Sequence, residues 1–282
     1  MKKSINAGSF PDSYTQEEVI AAAKRAGFDA IEFNFEIKSR GRCASFFLDT
    51  EDEFIEYIAK KTHEAGLEVV SVSSSLPILW SLKTPEAEDL RVRALKKLLK
   101  IARIFGADTV LLVPGGMPEG MLLSEARKNS IEALKSVIPI IKESGITVGL
   151  ENVGNFFFMS PYDVVSFLKE LDSDVFASYL DLGNMLAFSK SEYWADVLMP
   201  YVKRVHIKDL KRFSYSKYGG EYCQLLEGDW DYKATMQVLK RHGFDGYLTA
   251  ELLKYDESLT DEEYIQRIAD AEGVIIDYYN SI

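Results

Sequence analysis

The chain has 282 residues, a formal net charge of −11 and a hydrophobic fraction of 47%. This length suits one α/β barrel, and the hydrophobic fraction can supply a large core. The negative charge argues against a nucleic-acid partner, because phosphates bind to basic surfaces. No apolar run could span a bilayer, and the start, MKKSINAGSF, lacks the apolar segment of a signal peptide. Cys43 and Cys223 show no metal-binding or redox spacing, so we expect a cytoplasmic protein.

Short apolar segments that predict strands alternate with amphipathic segments that predict helices along the whole chain. Several helical segments end in Gly, a common C-terminal signal. The predicted elements, in chain order, are strand SINAGS, helix TQEEVIAAAKRAG, strand AIEFNF, helix DEFIEYIAKKTHEAG, strand EVVSVSSS, helix PEAEDLRVRALKKLLKIARIFG, strand DTVLLV, helix SEARKNSIEALKSVIPIIKESG, strand TVGLENV, helix SPYDVVSFLKEL, strand FASYLDL, helix SEYWADVLMPY, strand RVHIKDL, helix DWDYKATMQVLKRHG, strand YLTAELL and helix TDEEYIQRIADAEGVIIDYY.

Eight strands alternating with helices predict a parallel sheet with crossover helices, and at this length a (β/α)8 TIM barrel. An open doubly wound sheet is the alternative. It would normally carry a glycine-rich phosphate turn after its first strand, and NAGSFPDS does not match G-x-G-x-x-G. No linker-like stretch divides the sequence, so residues 1–282 are predicted to form one domain.

The last four predicted strands each carry one metal-capable side chain near the carboxyl end. In ITVGLEN the large apolar residues share one parity and should face the helices, which directs Glu151 into the barrel. The same reasoning directs Asp181, His206 and Glu251 inward. Catalytic residues of TIM barrels lie at the carboxyl ends of the strands, so we expect these four side chains to meet there.

Three carboxylates in one dry pocket require a compensating cation. A single divalent ion would provide it, bound by Glu151, Asp181, His206 and Glu251. Three oxygen ligands and one imidazole favour Mn²⁺, with Mg²⁺, Co²⁺ and Zn²⁺ as alternatives. A competing interpretation is a barrel without a metal, in which the carboxylates pair with Arg204 and Lys208, both of which also have inward parity.

The segments GLENV, DLGN, VHIKD, EGDWDY and AELL, in this order, resemble the xylose isomerase-like barrels. This family contains sugar and sugar-phosphate isomerases and epimerases and shares ancestry with endonuclease IV. The resemblance covers nearly the whole chain. It implies that Glu151, Asp181, His206 and Glu251 hold one divalent metal, and that the two glutamates also form the acid/base pair.

Within this family, DLGN resembles the xylulose-5-phosphate 3-epimerase branch. The tagatose epimerase branch has a histidine three residues after the aspartate, where this chain has Asn184. The endonuclease branch needs a histidine-rich site for three zinc ions. His63 falls in a predicted helix and His242 at the end of another, so a DNA-repair function is not expected.

The predicted reaction is proton transfer on a small-molecule sugar or sugar phosphate through an enediolate. An ion that chelates the carbonyl and a neighbouring hydroxyl acidifies the adjacent C–H. Glu151 or Glu251 then removes the proton, and its return gives an epimer or an aldose–ketose isomer. Two other functions stay open: an inosose-type dehydratase with the same ligands, and a non-catalytic sugar-binding barrel. Assembly into a homo-oligomer also stays open.

Residues beside the proposed ligands are candidates for substrate binding: Lys208, Asn184 and Asn152. Lys208 could instead form a salt bridge to a ligand carboxylate, and Asp209 could serve as a cap. Glu32 and Asn34 share a parity that places them either on the pocket floor or on the surface. The segment KRFSYSKYGGEYCQLLEGDWD is predicted to be a long loop without secondary structure. Its Lys211, Arg212 and Lys217 either bind a phosphate group, as residues near strands seven and eight of such barrels do, or belong to a solvated loop.

Overall fold

The computed structural model of the protein describes residues 1–39, 41–214, 217–252 and 256–282. The strands of the described residues are β1 (Lys2–Asn6), β2 (Ala30–Glu36), β3 (Phe46–Phe47), β4 (Glu68–Ser74), β5 (Thr109–Leu112), β6 (Thr147–Glu151), β7 (Phe176–Asp181), β8 (Val202–Ile207), β9 (Asp209–Ser214), β10 (Lys217–Cys223) and β11 (Tyr247–Ala250). Eight of them are parallel and close into a barrel in the order β1-β2-β4-β5-β6-β7-β8-β11, and β11 pairs back onto β1.

Helices connect the barrel strands and surround them. Thr15, Ser160 and Thr260 each begin a helix with a capping box, in which the cap hydroxyl and the acid three residues later satisfy the first free N–H groups. The helices are α1 (Gln16–Ala26), α2 (Asp52–Glu64), α3 (Pro77–Ser81), α4 (Pro85–Phe105), α5 (Leu123–Ser136), α6 (Ile138–Ser144), α7 (Pro161–Leu171), α8 (Ser191–Leu198), α9 (Tyr232–Arg241) and α10 (Asp261–Ser281). The predicted (β/α)8 barrel is therefore confirmed.

Two predicted elements differ from the structure. The helix predicted over SEARKNSIEALKSVIPIIKESG divides into α5 and α6 at Val137, because Pro139 has no N–H to donate and its ring disfavours a continuous helix. The segment after β8, predicted to be a loop without secondary structure, forms the antiparallel hairpin β9–β10, with Asp209 opposite Cys223. The seventh barrel strand accordingly ends at Ile207 and not at Leu210.

The barrel wall separates an apolar outer layer from a polar interior. Val148, Leu150 and Leu180 are buried between the strands and the helices. The interior side of the same strands carries Gly149 and Tyr179, and a Cβ at Gly149 would lie only 2.9 Å from the Tyr179 ring. Glycine at this position thus leaves room for a large side chain that fills the barrel beneath its carboxyl end.

Strand register aligns the last four barrel strands at that end. Asp181 on β7 lies opposite His206 on β8, and Thr249 on β11 is also the partner of His206. On the other side, Glu151 on β6 pairs with Tyr179. Because parallel strands in register end at the same level, the side chains that follow these pairs project into a common space.

In the described part of the chain, no helix is long and apolar enough to cross a membrane.

Candidate metal centre

Four side chains meet at the carboxyl end of the barrel: Glu151, Asp181, His206 and Glu251. One potential ligand atom of each lies within 4.8 Å of all the others. From His206 Nδ1, the distances are 3.1 Å to Glu151 Oε1, 3.4 Å to Glu251 Oε2 and 3.8 Å to Asp181 Oδ2. Glu151, Asp181 and His206 are buried, while the Glu251 side chain is 35% exposed. The cluster is thus open to the mouth of the barrel on the side of Glu251.

This arrangement fits a single divalent ion. Two donors bound to one ion at about 2.1 Å lie roughly 3 Å apart when adjacent and about 4.2 Å apart when opposite. The three distances from His206 Nδ1 fall within that range. In addition, Asp181 Oδ2 is buried and makes no hydrogen bond within the described residues, although the ammonium group of Lys208 lies 3.0 Å away. A buried carboxylate oxygen without a hydrogen bond is costly, and an ion at this position would satisfy it.

The orientation of Asp181 is set by its neighbours. Its Oδ1 accepts hydrogen bonds from the backbone N–H groups of Gly183 and Asn184, each at 2.7 Å. Asn152 exchanges two hydrogen bonds with the Asp181 backbone, donating from Nδ2 to the carbonyl and accepting at Oδ1 from the N–H, both at 2.9 Å. These contacts direct the second carboxylate oxygen, Oδ2, towards the other three side chains.

Asn152 and Asn184, predicted to bind substrate, both make contacts within the protein. Besides its bonds to Asp181, Asn152 accepts at its backbone carbonyl a hydrogen bond of 3.0 Å from Asn184 Nδ2. Asn184 Oδ1 accepts from the Tyr222 hydroxyl at 3.0 Å, which ties the hairpin β9–β10 to the barrel mouth. Substrate binding by either asparagine stays a prediction, and the contacts observed position Asp181 and the hairpin.

Lys208 extends from the end of β8 to the same carboxylates. Its Nζ lies 3.0 Å from Asp181 Oδ2 and also donates to Glu251 Oε2. The second cation of the metal-free interpretation, Arg204, lies elsewhere: its Nη2 is 2.5 Å from Asp108 at the opposite end of the barrel. Of the two cations that the metal-free interpretation paired with the carboxylates, only Lys208 therefore contacts them.

The electrostatics of the cluster show an excess of negative charge. Burial, with a contribution from the neighbouring charge of Glu251, raises the pKa of Glu151 to about 7. Burial also raises the pKa of Glu251, but the charges of Lys208 and His206 outweigh it and hold that pKa below its usual range. The two carboxyl groups that face His206 thus differ in pKa, although both lie beside two cationic side chains. A divalent ion would neutralise the excess charge.

Beneath the cluster, the other ring nitrogen of His206 contacts a fourth carboxylate. Its Nε2 lies 2.7 Å from Oε1 of Glu32, a fully buried residue of β2. The sequence left Glu32 undecided between the pocket floor and the surface; the structure places it inside the barrel. The alternation of Ile31, Phe33 and Phe35 with Glu32 in AIEFNF was the signal that could have assigned it.

Of the cations predicted to bind phosphate in the segment after β8, Lys211 and Arg212 have described side chains, and neither contacts the cluster. Arg212 lines a separate cavity of about 310 Å³ together with Lys190, Glu192, Asp229 and Asp231, so that carboxylates outnumber cations there. Lys211 is exposed, and the side chain of Lys217 lies outside the described residues. Asp209 accepts hydrogen bonds from the N–H groups of Leu210, Gly228 and Trp230 and so caps the turn beside the hairpin.

A larger cavity of about 690 Å³ borders Glu251 and opens at the barrel mouth. Its wall contains polar side chains from β2, β4 and the segment after β2, including Asn34, Ser73, Lys38 and Arg42. Pockets of this size accept small polar ligands. The cavity leads from the cluster of carboxylates towards groups that can bind hydroxyls or an anionic substituent.

A family model for xylose isomerase-like TIM barrels matches residues 20–271 of this sequence. The chain belongs to this family. The family membership confirms the resemblance carried by GLENV, DLGN, VHIKD, EGDWDY and AELL. An uncharacterized protein of Methanocaldococcus jannaschii, MJ1311, is 23% identical over 220 residues, which span 75% of this chain and 73% of that protein.

Solved structures similar to this xylose isomerase-like barrel come from proteins with different activities. The IOLI protein, solved with a bound zinc atom, has a TM-score of 0.82 at 17% identity, and each chain is covered completely. An L-ribulose 3-epimerase has a TM-score of 0.80 at 20% identity, covering 99% of this chain and 96% of its own. The probable 3-DHS dehydratase AsbF of Bacillus anthracis has a TM-score of 0.77 at 17% identity, covering 97% and 99%. At these identities the likeness establishes the fold.

Proposed function

We propose that this protein is a divalent-metal-dependent isomerase, a sugar epimerase or an aldose–ketose isomerase, that moves a proton on a sugar or sugar phosphate. The observation that carries the proposal is the convergence of Glu151, Asp181, His206 and Glu251 on one point at the carboxyl end of the barrel. A bound ion would supply Lewis acidity, which lowers the pKa of a C–H beside a carbonyl. Mn²⁺ is the ion we expect from the ligand set.

In this proposal Glu151 and Glu251 act as the acid and the base. They enter the cluster from β6 and from the end of β11, with β7 and β8 between them. Two carboxyl groups whose surroundings push their pKa values apart are typical of such a pair. The difference between Glu151 and Glu251 supports this assignment. A proton removed on one side of a planar intermediate and returned on the other inverts the carbon.

The substrate in this proposal occupies the cavity beside Glu251. Asn34 and Ser73 line it with groups that exchange hydrogen bonds with hydroxyls, and Lys38 and Arg42 line it from the segment after β2. Lys208, which donates to Glu251, would stabilise charge on a substrate oxygen once its carboxylate partners bind the ion. Solved structures with this fold include an L-ribulose 3-epimerase and a probable 3-DHS dehydratase. In this proposal, epimerisation and loss of water would both begin with removal of a proton beside a carbonyl.

Deuterium uptake tests the proposal directly. The protein with added Mn²⁺ is incubated in deuterated water with a panel of ketoses and ketose phosphates, and products are analysed by NMR and mass spectrometry. An isomer with deuterium at the reacting carbon is the expected result. A keto product formed by loss of water would identify a dehydratase instead. Binding of a sugar without any exchange would indicate a non-catalytic barrel, and the His206→Ala variant serves as the metal-deficient control.

A further inference from the structure

A buried carboxylate that the proposed chemistry does not use lies directly beneath the metal centre. Glu32 is 0% exposed and has four hydrogen-bonding partners inside the barrel. Asn6 Nδ2 donates to it at 2.5 Å, the Tyr179 hydroxyl donates at 2.6 Å and the Ser71 hydroxyl also donates. The fourth partner is His206 Nε2, 2.7 Å from Glu32 Oε1. An ionised carboxylate can only accept hydrogen bonds, and three of the four partners donate to Glu32.

The other three contacts indicate which ring nitrogen of His206 keeps its hydrogen. Asn6, Ser71 and Tyr179 all donate to Glu32, as they would to an ionised carboxylate, which has no hydrogen to give to His206. The hydrogen of the Glu32–His206 contact therefore belongs to Nε2 of His206. When the ring binds an ion it is neutral, and that tautomer then leaves the lone pair on Nδ1. Nδ1 is the atom 3.1 to 3.8 Å from Glu151, Glu251 and Asp181.

The Tyr179 ring restricts the imidazole from the side. The two ring centroids are 4.5 Å apart with an interplanar angle of 58°, and the same tyrosine donates its hydroxyl to Glu32. Tyr179 also contacts Gly149, where a Cβ would lie 2.9 Å from its ring. The ring plane of His206 is thus held between a carboxylate below and an aromatic side chain beside it.

We propose that Glu32 is the positioning residue of the metal centre, which holds His206 as the Nε2–H tautomer so that Nδ1 is the metal ligand. This inference rests on the proposed metal site. Carboxylate partners of ligating histidines typically contribute 10- to 100-fold in metal affinity, because they fix ring orientation and raise ligand basicity. Glu32 touches neither the other three ligands nor the cavity within the described residues, so its effect reaches the ion through His206.

The tautomer is measured on the unmodified protein. The chain has three histidines, and His63 and His242 are exposed on α2 and after α9, so they act as internal references. Two-bond ¹H–¹⁵N correlation spectra of ¹⁵N-histidine-labelled protein with Zn²⁺ should show His206 protonated at Nε2 and coordinated at Nδ1. Coordination through Nε2 would overturn the inference while leaving the metal site intact.

Metal affinity provides the second measurement. Glu32→Gln should weaken Zn²⁺ or Mn²⁺ binding, followed by calorimetric titration, by about 10- to 100-fold. The matched control is Glu272→Gln, which also replaces a fully buried glutamate but at a site where the carboxylate accepts from the Ser4 N–H instead of a ligand. The control should bind metal within about 2-fold of the wild type.

The outcomes separate the two proposals. Equal affinity of the wild type and Glu32→Gln would overturn the positioning role of Glu32. Equal weakening in Glu272→Gln would also overturn it, since any buried glutamate would then have the same effect. If the wild type binds no divalent ion, the proposed function fails and this inference fails with it. Should Glu32→Gln not fold, the spectrum of the wild type alone decides the question.

Discussion

The two ends of the barrel carry charges in opposite ways. At the amino end, Asp108 lies 2.8 Å from Lys203 and 2.5 Å from Arg204, and its side chain is 53% exposed. At the carboxyl end, Glu151, Asp181 and Glu251 share His206 and Lys208, and most of these groups are buried. The first arrangement has more cations than carboxylates and is open to solvent. The second has more carboxylates than cations and is largely closed.

The two ends differ in whether their charges are balanced within the protein. Exposed pairs such as Asp108 with Lys203 contribute about 0.2–1 kcal/mol, and they need no further partner. Buried carboxylates in excess are destabilising unless another cation binds. The carboxyl end therefore retains an unmet requirement for positive charge, and that requirement distinguishes a site from a structural ion pair.

The largest effect is expected from the glutamates of the carboxyl end. Glu151→Gln and Glu251→Gln should each lower turnover by about 10²–10⁴-fold at saturating Mn²⁺, because an amide can still bind metal through oxygen but cannot transfer the proton. Asp181→Asn, which removes only a ligand charge, should be partly rescued by excess metal. Steady-state kinetics over a metal titration make the comparison. Equal rescue of all three variants would mean that the glutamates are ligands only, and that the bases lie elsewhere, with Lys208 the first candidate.

A second prediction contrasts one lysine from each end. Lys208→Met should destabilise the metal-free protein by about 3–5 kcal/mol, because it leaves buried carboxylates without their partner. Added metal should restore much of this loss, so the metal-induced rise in melting temperature should exceed that of the wild type. Lys203→Met, at the amino end, should cost at most about 1 kcal/mol and leave the metal-induced rise unchanged. Calorimetric melts with and without Mn²⁺ test both variants. An equal metal-induced rise in melting temperature in Lys208→Met and Lys203→Met would contradict the proposed difference between the two ends.

The smallest effect concerns Glu272 of α10, which packs under β1. Burial raises the pKa of Glu272 well above its ordinary value, although the Ser4 N–H acts against the shift. The folded state therefore favours the neutral carboxyl group. As a result, the free energy of unfolding is highest below the unfolded pKa of about 4.5 and falls as the pH rises towards the folded pKa. Glu272→Gln should remove this loss, so urea unfolding from pH 5 to 8 should show the variant gaining on the wild type; parallel curves would refute the assignment.

The sequence by itself determined the barrel and which side chains face its interior near the carboxyl end. Alternation of strand and helix identified the fold, and strand parity directed Glu151, Asp181, His206 and Glu251 inward. Both follow from local rules, since a strand presents alternate residues to opposite faces and the apolar set must face the helices. The same alternation could have placed Glu32 inside the barrel. Alternation alone, however, does not show which carboxylate the inward-facing imidazole of His206 will contact.

Only the tertiary structure decided how those side chains share partners. Lys208 contacts two carboxylates, Asn152 and Asn184 contact backbone and Tyr222, and Arg204 lies at the opposite end of the barrel. An amide or an ammonium can bind protein or substrate equally well, and the choice depends on distances across strands that are far apart in sequence. The hairpin β9–β10 was not predicted for the same reason. Its polar strands bury little apolar surface, and contacts with the barrel mouth fix its position.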